Sequence, residues 1–125
     1  MCVVAFAWRS HPRWRLLLAG NRDEFHARPT AALARWPDTG VIAGRDLRSG
    51  GTWVGLDARG RVAVVTNVRD GFAQPHGGPS RGALPVAFLD GSMDAAATTA
   101  ALLADTTAYA PFNLMLADAG ACWHL

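Results

Sequence analysis

The sequence predicts an α+β fold in which antiparallel hairpins and helices occupy separate stretches of the chain. Three observations predict it. Two apolar runs, residues 2–8 and 14–20, flank Arg9-Ser10-His11-Pro12-Arg13, a polar segment of hairpin-loop length. Residues 52–56 and 61–67 flank the turn sequence Asp57-Ala58-Arg59-Gly60, the clearest hairpin signal in the chain. Helix-forming sequence appears only after residue 80, and a strand pattern returns at Phe112. The order ββ–ββ–αα–ββ is not the strict alternation of a doubly wound α/β fold.

The first two runs are almost continuously apolar, which predicts strands buried on both faces. If their hairpin register is close to symmetric, the chain runs out along one strand and returns along the other. Residues 20–22 then arrive beside Cys2. Residues 26–40 read as loop, because Pro29, Pro37 and Asp38-Thr39-Gly40 all interrupt regular structure. Residues 41–43 suggest a short strand, and residues 45–51 a polar, glycine-rich turn feeding the second hairpin.

Residues 70–79 are Gly, Pro and polar loop. Ser80 suits the N-cap of a helix reaching about Leu89, with Pro85 acceptable in its first turn. Asp90-Gly91-Ser92 stops that helix, and Ala-rich residues 94–103 predict a second. Residues 112–116 form a strand, Asp118-Ala119-Gly120 a turn, and residues 121–125 a last strand. The sequence stops inside that strand without a polar tail, as expected of a fragment or a truncated reading frame.

A length of 125 residues bounds the chain to one domain or part of one, spanning residues 1–125. Half of the residues are hydrophobic, ample for a core, and a net charge of +2 is too small to argue for nucleic acid or an anionic membrane. All twelve basic residues are Arg, which reads as GC-rich coding rather than function. The apolar stretches are too short or too interrupted for a secretory signal or a membrane span. Cys2 and Cys122 lack CxxC spacing, and His11, His26, His76 and His124 are scattered singly, so no metal site is expected. A cytoplasmic protein is the default.

Chemistry concentrates at the amino terminus. An initiator Met before a small Cys suits methionine aminopeptidase, and its removal would leave Cys2 with a thiol and a free α-amine. These titrate near pH ~8.5 and ~7.7–8.0, so nucleophile and base can share one residue. Asn21-Arg22-Asp23-Glu24-Phe25 follows the return strand. Read alone it is a solvated turn, but Arg22 near the thiol would favour thiolate and Asp23 or Glu24 could orient the amine. Asn67 ends the strand after Thr66 and could donate to an oxyanion. Gly50-Gly51-Thr52-Trp53 permits a positive φ or close backbone approach. Ser80-Arg81-Gly82 reads first as a helix cap with a surface Arg and second as an anion site. Asn21, Trp53 and Arg81 complete the candidate ligand-binding residues.

Together these landmarks resemble the NRDE-motif family, also called the transport and Golgi organisation 2 family. The resemblance rests on Met1-Cys2, Asn21-Arg22-Asp23-Glu24-Phe25 with Arg28-Pro29, Gly50-Gly51-Thr52-Trp53, Thr66-Asn67 with Arg69, Ser80-Arg81-Gly82, and Phe112-Asn113-Leu114-Met115-Leu116-Ala117-Asp118. Members are about twice as long, so the chain resembles their amino-terminal half. The resemblance implies part of an αββα sandwich like that of N-terminal-nucleophile hydrolases, with antiparallel sheets and helices on one side. In the cysteine branch of those enzymes an Arg and an Asp follow the second strand as Gly-Arg-Asn-x-Asp. Here the order is Gly20-Asn21-Arg22-Asp23-Glu24, which leaves open whether Asp23 or Glu24 meets the amine.

Two functions follow from the resemblance. One is amidohydrolysis of a non-peptide C–N bond, with Cys2 as nucleophile and Arg22, Asp23, Glu24 and Asn67 around it. The other is non-enzymatic binding or trafficking of haem or a lipid-type ligand on the same scaffold. The expected partner is a small-molecule substrate or haem, with no cofactor otherwise, no nucleic acid and no membrane span. The missing later half would carry further catalytic groups, so this half alone is expected to be inactive. An unpaired sheet edge would favour homo-oligomers.

Overall fold

A computed structural model describes residues 2–68 and 77–125. Eight strands and two helices form two antiparallel sheets. The first sheet is the hairpin of β1 (Val3–Trp8) and β2 (Leu16–Asn21). The second is a six-stranded meander of β3 (Thr30–Arg35), β4 (Ile42–Asp46), β5 (Val54–Leu56), β6 (Val62–Asn67), β7 (Phe112–Ala117) and β8 (Cys122–His124). Each strand pairs with its neighbour in sequence, so every connection within the meander is local apart from the helical excursion between β6 and β7. The fold is therefore α+β, as the segregated hairpins and helices predict.

Helix α1 (Ala83–Asp90) packs on β5 and β6, and α2 (Ala95–Ala104) packs on β7 and β8. Alternation along β6 sends Ala63 and Val65 into the main core with Leu84, Phe88, Leu89, Leu114 and Leu116. Val64 and its cross-strand partner Met115 are buried on the opposite face. The centre of the large sheet is thus covered on both sides.

Two arginines close the far end of α1. The side chains of Asp57 and Arg61, in the β5–β6 turn, are only 7% and 6% exposed. Arg61 Nε donates to Asp57 Oδ2 at 2.8 Å, Nη1 to Met93 O at 2.9 Å, and Nη2 to Leu89 O at 2.6 Å and Gly91 O at 2.8 Å. Its guanidinium also lies 4.7 Å from the centre of the Phe88 ring. Arg59 Nη2 adds bonds to the same Leu89 and Gly91 carbonyls. These are the orphan carbonyls of a helix C-terminus, where positive charge is also favoured by the helix dipole.

Several local expectations need correction. Residues 30–35 form a strand rather than loop. They are an exposed edge strand whose register against β4 shifts between Ala31 and Ala34, and the Ala-rich sequence carries little intrinsic strand preference. The first hairpin is not buried on both faces: Val3 is 58%, Phe6 46% and Leu17 45% exposed, because apolar sequence sets what a strand can bury and the packing partner decides what it does. Ser80 is not the N-cap. Gly82 holds that position without a side-chain cap, while Ser80 Oγ accepts from Gly82 N–H and Ser80 O from Ala83 N–H. Pro85 does fall in the first turn, and Asp94 caps α2 by accepting from Ala97 N–H at 2.7 Å. Most of the loop expected over 70–79, and Arg69 and His76 with it, lies outside the described residues.

Candidate functional site

The hairpin register carries the amino terminus to the charged sequence. Val3 pairs with Asn21 and Val4 with Gly20, the nearly symmetric alignment that the two runs predict. One step beyond the last pair, Asp23 N–H points at Cys2 Sγ at 3.4 Å, and the sulfur lies 3.9 Å from Asp23 O.

Cys2 lies on the wall of a cleft of about 460 Å³ between the hairpin's open end, strands β3, β4 and β6 and the segment leading into α1. That volume falls within the range of small-molecule sites. Arg22, Asp23, Glu24, Trp53, Asn67 and Arg81 line it as well. Seven of the eight site residues predicted from sequence therefore converge. Asn21 does not: it is exposed and spends its backbone on the pairing with Val3.

Behind the cysteine runs a chain of ion pairs. Arg22 Nη2 is 3.4 Å from Glu24 Oε2, and Arg28 Nε is 3.9 Å from the same oxygen. Arg28 also grips Asp46 Oδ2 through Nη2 at 2.6 Å and Nε at 2.8 Å. Asp46 Oδ1 accepts from Arg48 N–H at 2.9 Å and Ser49 N–H at 3.2 Å. Burial works against ionisation of Asp46, but the bonds from Arg28, Arg48 and Ser49 outweigh it and hold its carboxyl below the ordinary value. The bond to Asp46 raises the pKa of Arg28 correspondingly. The cleft floor is therefore a fixed arrangement of charge. Arg45 lies over the Trp36 ring at 4.2 Å and reaches Asp38 at 3.4 Å.

Two glycine motifs meet beneath this floor. Gly50 adopts φ +76°, the turn conformation that glycine accepts without strain. A Cβ on Gly51 would lie 2.5 Å from the Gly82 carbonyl carbon, and Thr52 N–H donates to Gly82 O at 3.1 Å. Gly50-Gly51-Thr52-Trp53 and Ser80-Arg81-Gly82 thus form one crossing of two backbones, and it delivers Arg81 into the cleft. Gly20 makes the second close approach: a Cβ there would meet Val3 O at 2.8 Å and Trp53 Cη2 at 3.5 Å. Trp53 therefore joins the hairpin to the cleft wall.

Sequence reasoning missed Asp46 and Arg45 as parts of the site, and treated Arg28 only as a mark of resemblance. Asp46 is 18 residues from its partner Arg28, with no local spacing to reveal the pair. Of the histidines, His11 sits by a shallow surface depression with Trp14, and His26 and His124 are exposed; none of these lines the cleft. Among the described residues no group of three or more His, Cys, Asp or Glu could hold a metal ion, and no helix is long and apolar enough to cross a membrane.

Fold and site together define a class: an α+β protein whose first hairpin carries Cys2 and the Asn21-Arg22-Asp23-Glu24 sequence to one arginine-rich cleft. The chain belongs to the Transport and Golgi organisation 2 family, matching it over residues 1–124. It is 36% identical to the Transport and Golgi organization protein 2 homolog of Bos taurus, over 97% of this chain and 46% of that protein. It is 33% identical to the Homo sapiens homolog, over 94% and 45% respectively. Identity to the Drosophila melanogaster Transport and Golgi organization protein 2 is 32%, over 96% and 47%. The chain spans about half the length of these relatives.

Proposed function

We propose that the cleft hydrolyses the C–N bond of a small non-peptide amide, with Cys2 as nucleophile once Met1 has been removed. The observation that carries this reading is the Asp23 N–H directed at Cys2 Sγ, 3.4 Å away, on the wall of a ligand-sized cleft. In this mechanism Sγ attacks the amide carbonyl and the thiol proton passes to the α-amine of Cys2. Asn67 donates to the developing oxyanion. The α-amine then gives that proton to the leaving nitrogen, the C–N bond breaks and a thioester remains. Water attacks the thioester, gives its proton back through the amine, and releases the acid with the thiol restored. Asp23 or Glu24 orients the amine, and Arg22, held by Glu24, supplies positive potential near the sulfur. A free thiol nucleophile suits the reducing cytoplasm that the sequence suggests.

Intact-mass analysis and an amide panel test this together. The expected result is a mature chain beginning at Cys2, with amide turnover by the full-length protein that is lost in Cys2→Ser. Retention of Met1 in the active protein would sink the α-amine mechanism.

A second reading, binding of haem or a lipid-type ligand without chemistry, is supported by the cleft volume and the Trp53 and Val65 surfaces within it. Among the described residues of the lining, Cys2 would supply a sulfur ligand to haem iron. A haem titration followed by absorbance, repeated with Cys2→Ala, tests it: a saturable spectrum that depends on Cys2 supports the reading, and none removes it.

A further inference from the structure

Among the described residues four arginines line the cleft, and three of them have acidic partners. Arg22 meets Glu24, Arg28 meets Asp46 and Glu24, and Arg45 meets Asp38. Arg81 differs. Among the described residues its guanidinium meets a neutral carbonyl, Pro111 O at 2.8 Å, and no carboxylate. A guanidinium carries five N–H donors in a fixed fork, so one carbonyl leaves most of them for a ligand.

Its position is fixed from beneath. Arg81 precedes Gly82, whose backbone is pressed against Gly51 and accepts from Thr52 N–H. The backbone on which the side chain stands is therefore set before any ligand arrives, which lowers the ordering cost of binding. Burial also pushes the Arg81 pKa down from its ordinary value. The start of α1 is not the attraction here: its leading N–H groups already donate to Ser80 Oγ, Ser80 O and Arg81 O.

We propose that Arg81 anchors an oxyanion, a carboxylate or a phosphate, on the ligand of the cleft, so that the ligand class is a small anionic acyl amide. This rests on the proposed amide chemistry for the acyl amide and on Arg81 for the anion. Trp53 and Val65 offer apolar surface for the acyl portion, and Cys2 faces the same space. A guanidinium recognises either oxyanion by paired N–H donors, so the choice between carboxylate and phosphate belongs to experiment.

Calorimetric titration of the full-length protein carrying Cys2→Ser separates this claim from catalysis, because binding is read without turnover. Three probes share one acyl group: N-hexanoylglycine, its neutral methylamide, and N-hexanoyl-O-phosphoethanolamine. One anionic probe should bind about tenfold or more tighter than the neutral one, and the stronger of the two names the oxyanion. Arg81→Gln should erase the preference and Arg81→Lys keep part of it, with each variant's fold checked by its thermal transition. Equal binding of charged and neutral probes, a preference that survives Arg81→Gln, or no saturable binding of any probe would overturn the proposal. Failure of amide turnover with the preference intact would count against the chemistry alone.

Discussion

The molecule holds two arginine clusters, and they are built in opposite ways. At the end of α1, Arg61 is buried and its guanidinium makes four hydrogen bonds, to Asp57 and three backbone carbonyls, with the Phe88 ring beneath it. In the cleft, Arg22, Arg28, Arg45 and Arg81 border open volume, and Arg81 meets a single carbonyl among the described residues. Both clusters come from the same arginine-rich composition. Donor use separates them: a guanidinium with nearly all its donors engaged holds structure together, whereas one with most to spare can hold a ligand.

The sharpest way to break the contrast is at Arg61. Arg61→Ala removes the buried guanidinium, leaves Asp57 and the Leu89 and Gly91 carbonyls with Arg59 as their only guanidinium partner and takes the donor from Met93 O, and should cost about 2–4 kcal/mol in denaturant unfolding. A loss below about 1 kcal/mol would mean the closed cluster is not the structural one. Gly51→Ala comes next, because its Cβ would fall 2.5 Å from the Gly82 carbonyl carbon. It should destabilise by about 1–3 kcal/mol and displace Arg81 as well, so both melting and anion preference should move.

Asp46→Asn should have a smaller effect, about 1 kcal/mol at neutral pH. The Asp46 carboxyl sits below its ordinary value in the folded protein. Its contribution is therefore present above the unfolded-state pKa, near ~3.9, and is lost as pH falls through the folded value. The stability profile of Asp46→Asn should be flatter than wild type in that acid window and parallel above it. Equal slopes would show that the charged floor does not couple to folding. Arg81→Gln should change stability least, by under about 1 kcal/mol, since one hydrogen bond to Pro111 O is lost. A larger loss would move Arg81 into the structural class.

Part of the cleft was legible in the sequence, the arginine contrast was not, and what was missed has a common cause. The two apolar runs around Pro12 were enough to set Cys2 beside Arg22, Asp23 and Glu24, because hairpin register is a local property. Helices α1 and α2 followed from local composition and the Asp90-Gly91-Ser92 stop, although the cap of α1 was misplaced on Ser80. The β3 strand was hidden, since Ala31-Ala32-Leu33-Ala34 has no strand preference of its own and is held by pairing with β4. The Arg28–Asp46 bond and the Gly51–Gly82 crossing join residues 18 and 31 positions apart, and no local pattern encodes either. Each glycine could be marked as permissive, but only the fold reveals that the two face each other. The exposure of the first hairpin was misread because composition cannot tell a buried strand from one awaiting a partner.

The contacts between the first hairpin and the rest of the molecule include one near each of its ends. Gly20 rests against Trp53 near one end, and Arg9 Nη2 reaches Ala119 O and Gly120 O, both at 3.2 Å, near the other. Neither place involves the backbone ladder of the large sheet. Because the hairpin is a separate sheet, we predict that it opens as one unit while β6 and β7 stay closed, so that its ladder amides exchange with deuterium together and faster than those of Val64 and Leu116. Arg9→Ala should quicken that exchange without altering the slower set. Since Cys2 and Arg22 sit at the hairpin's open end, each such opening would carry the thiol out of the cleft and return it. The rate of that excursion would then cap how often the sulfur is in place to act.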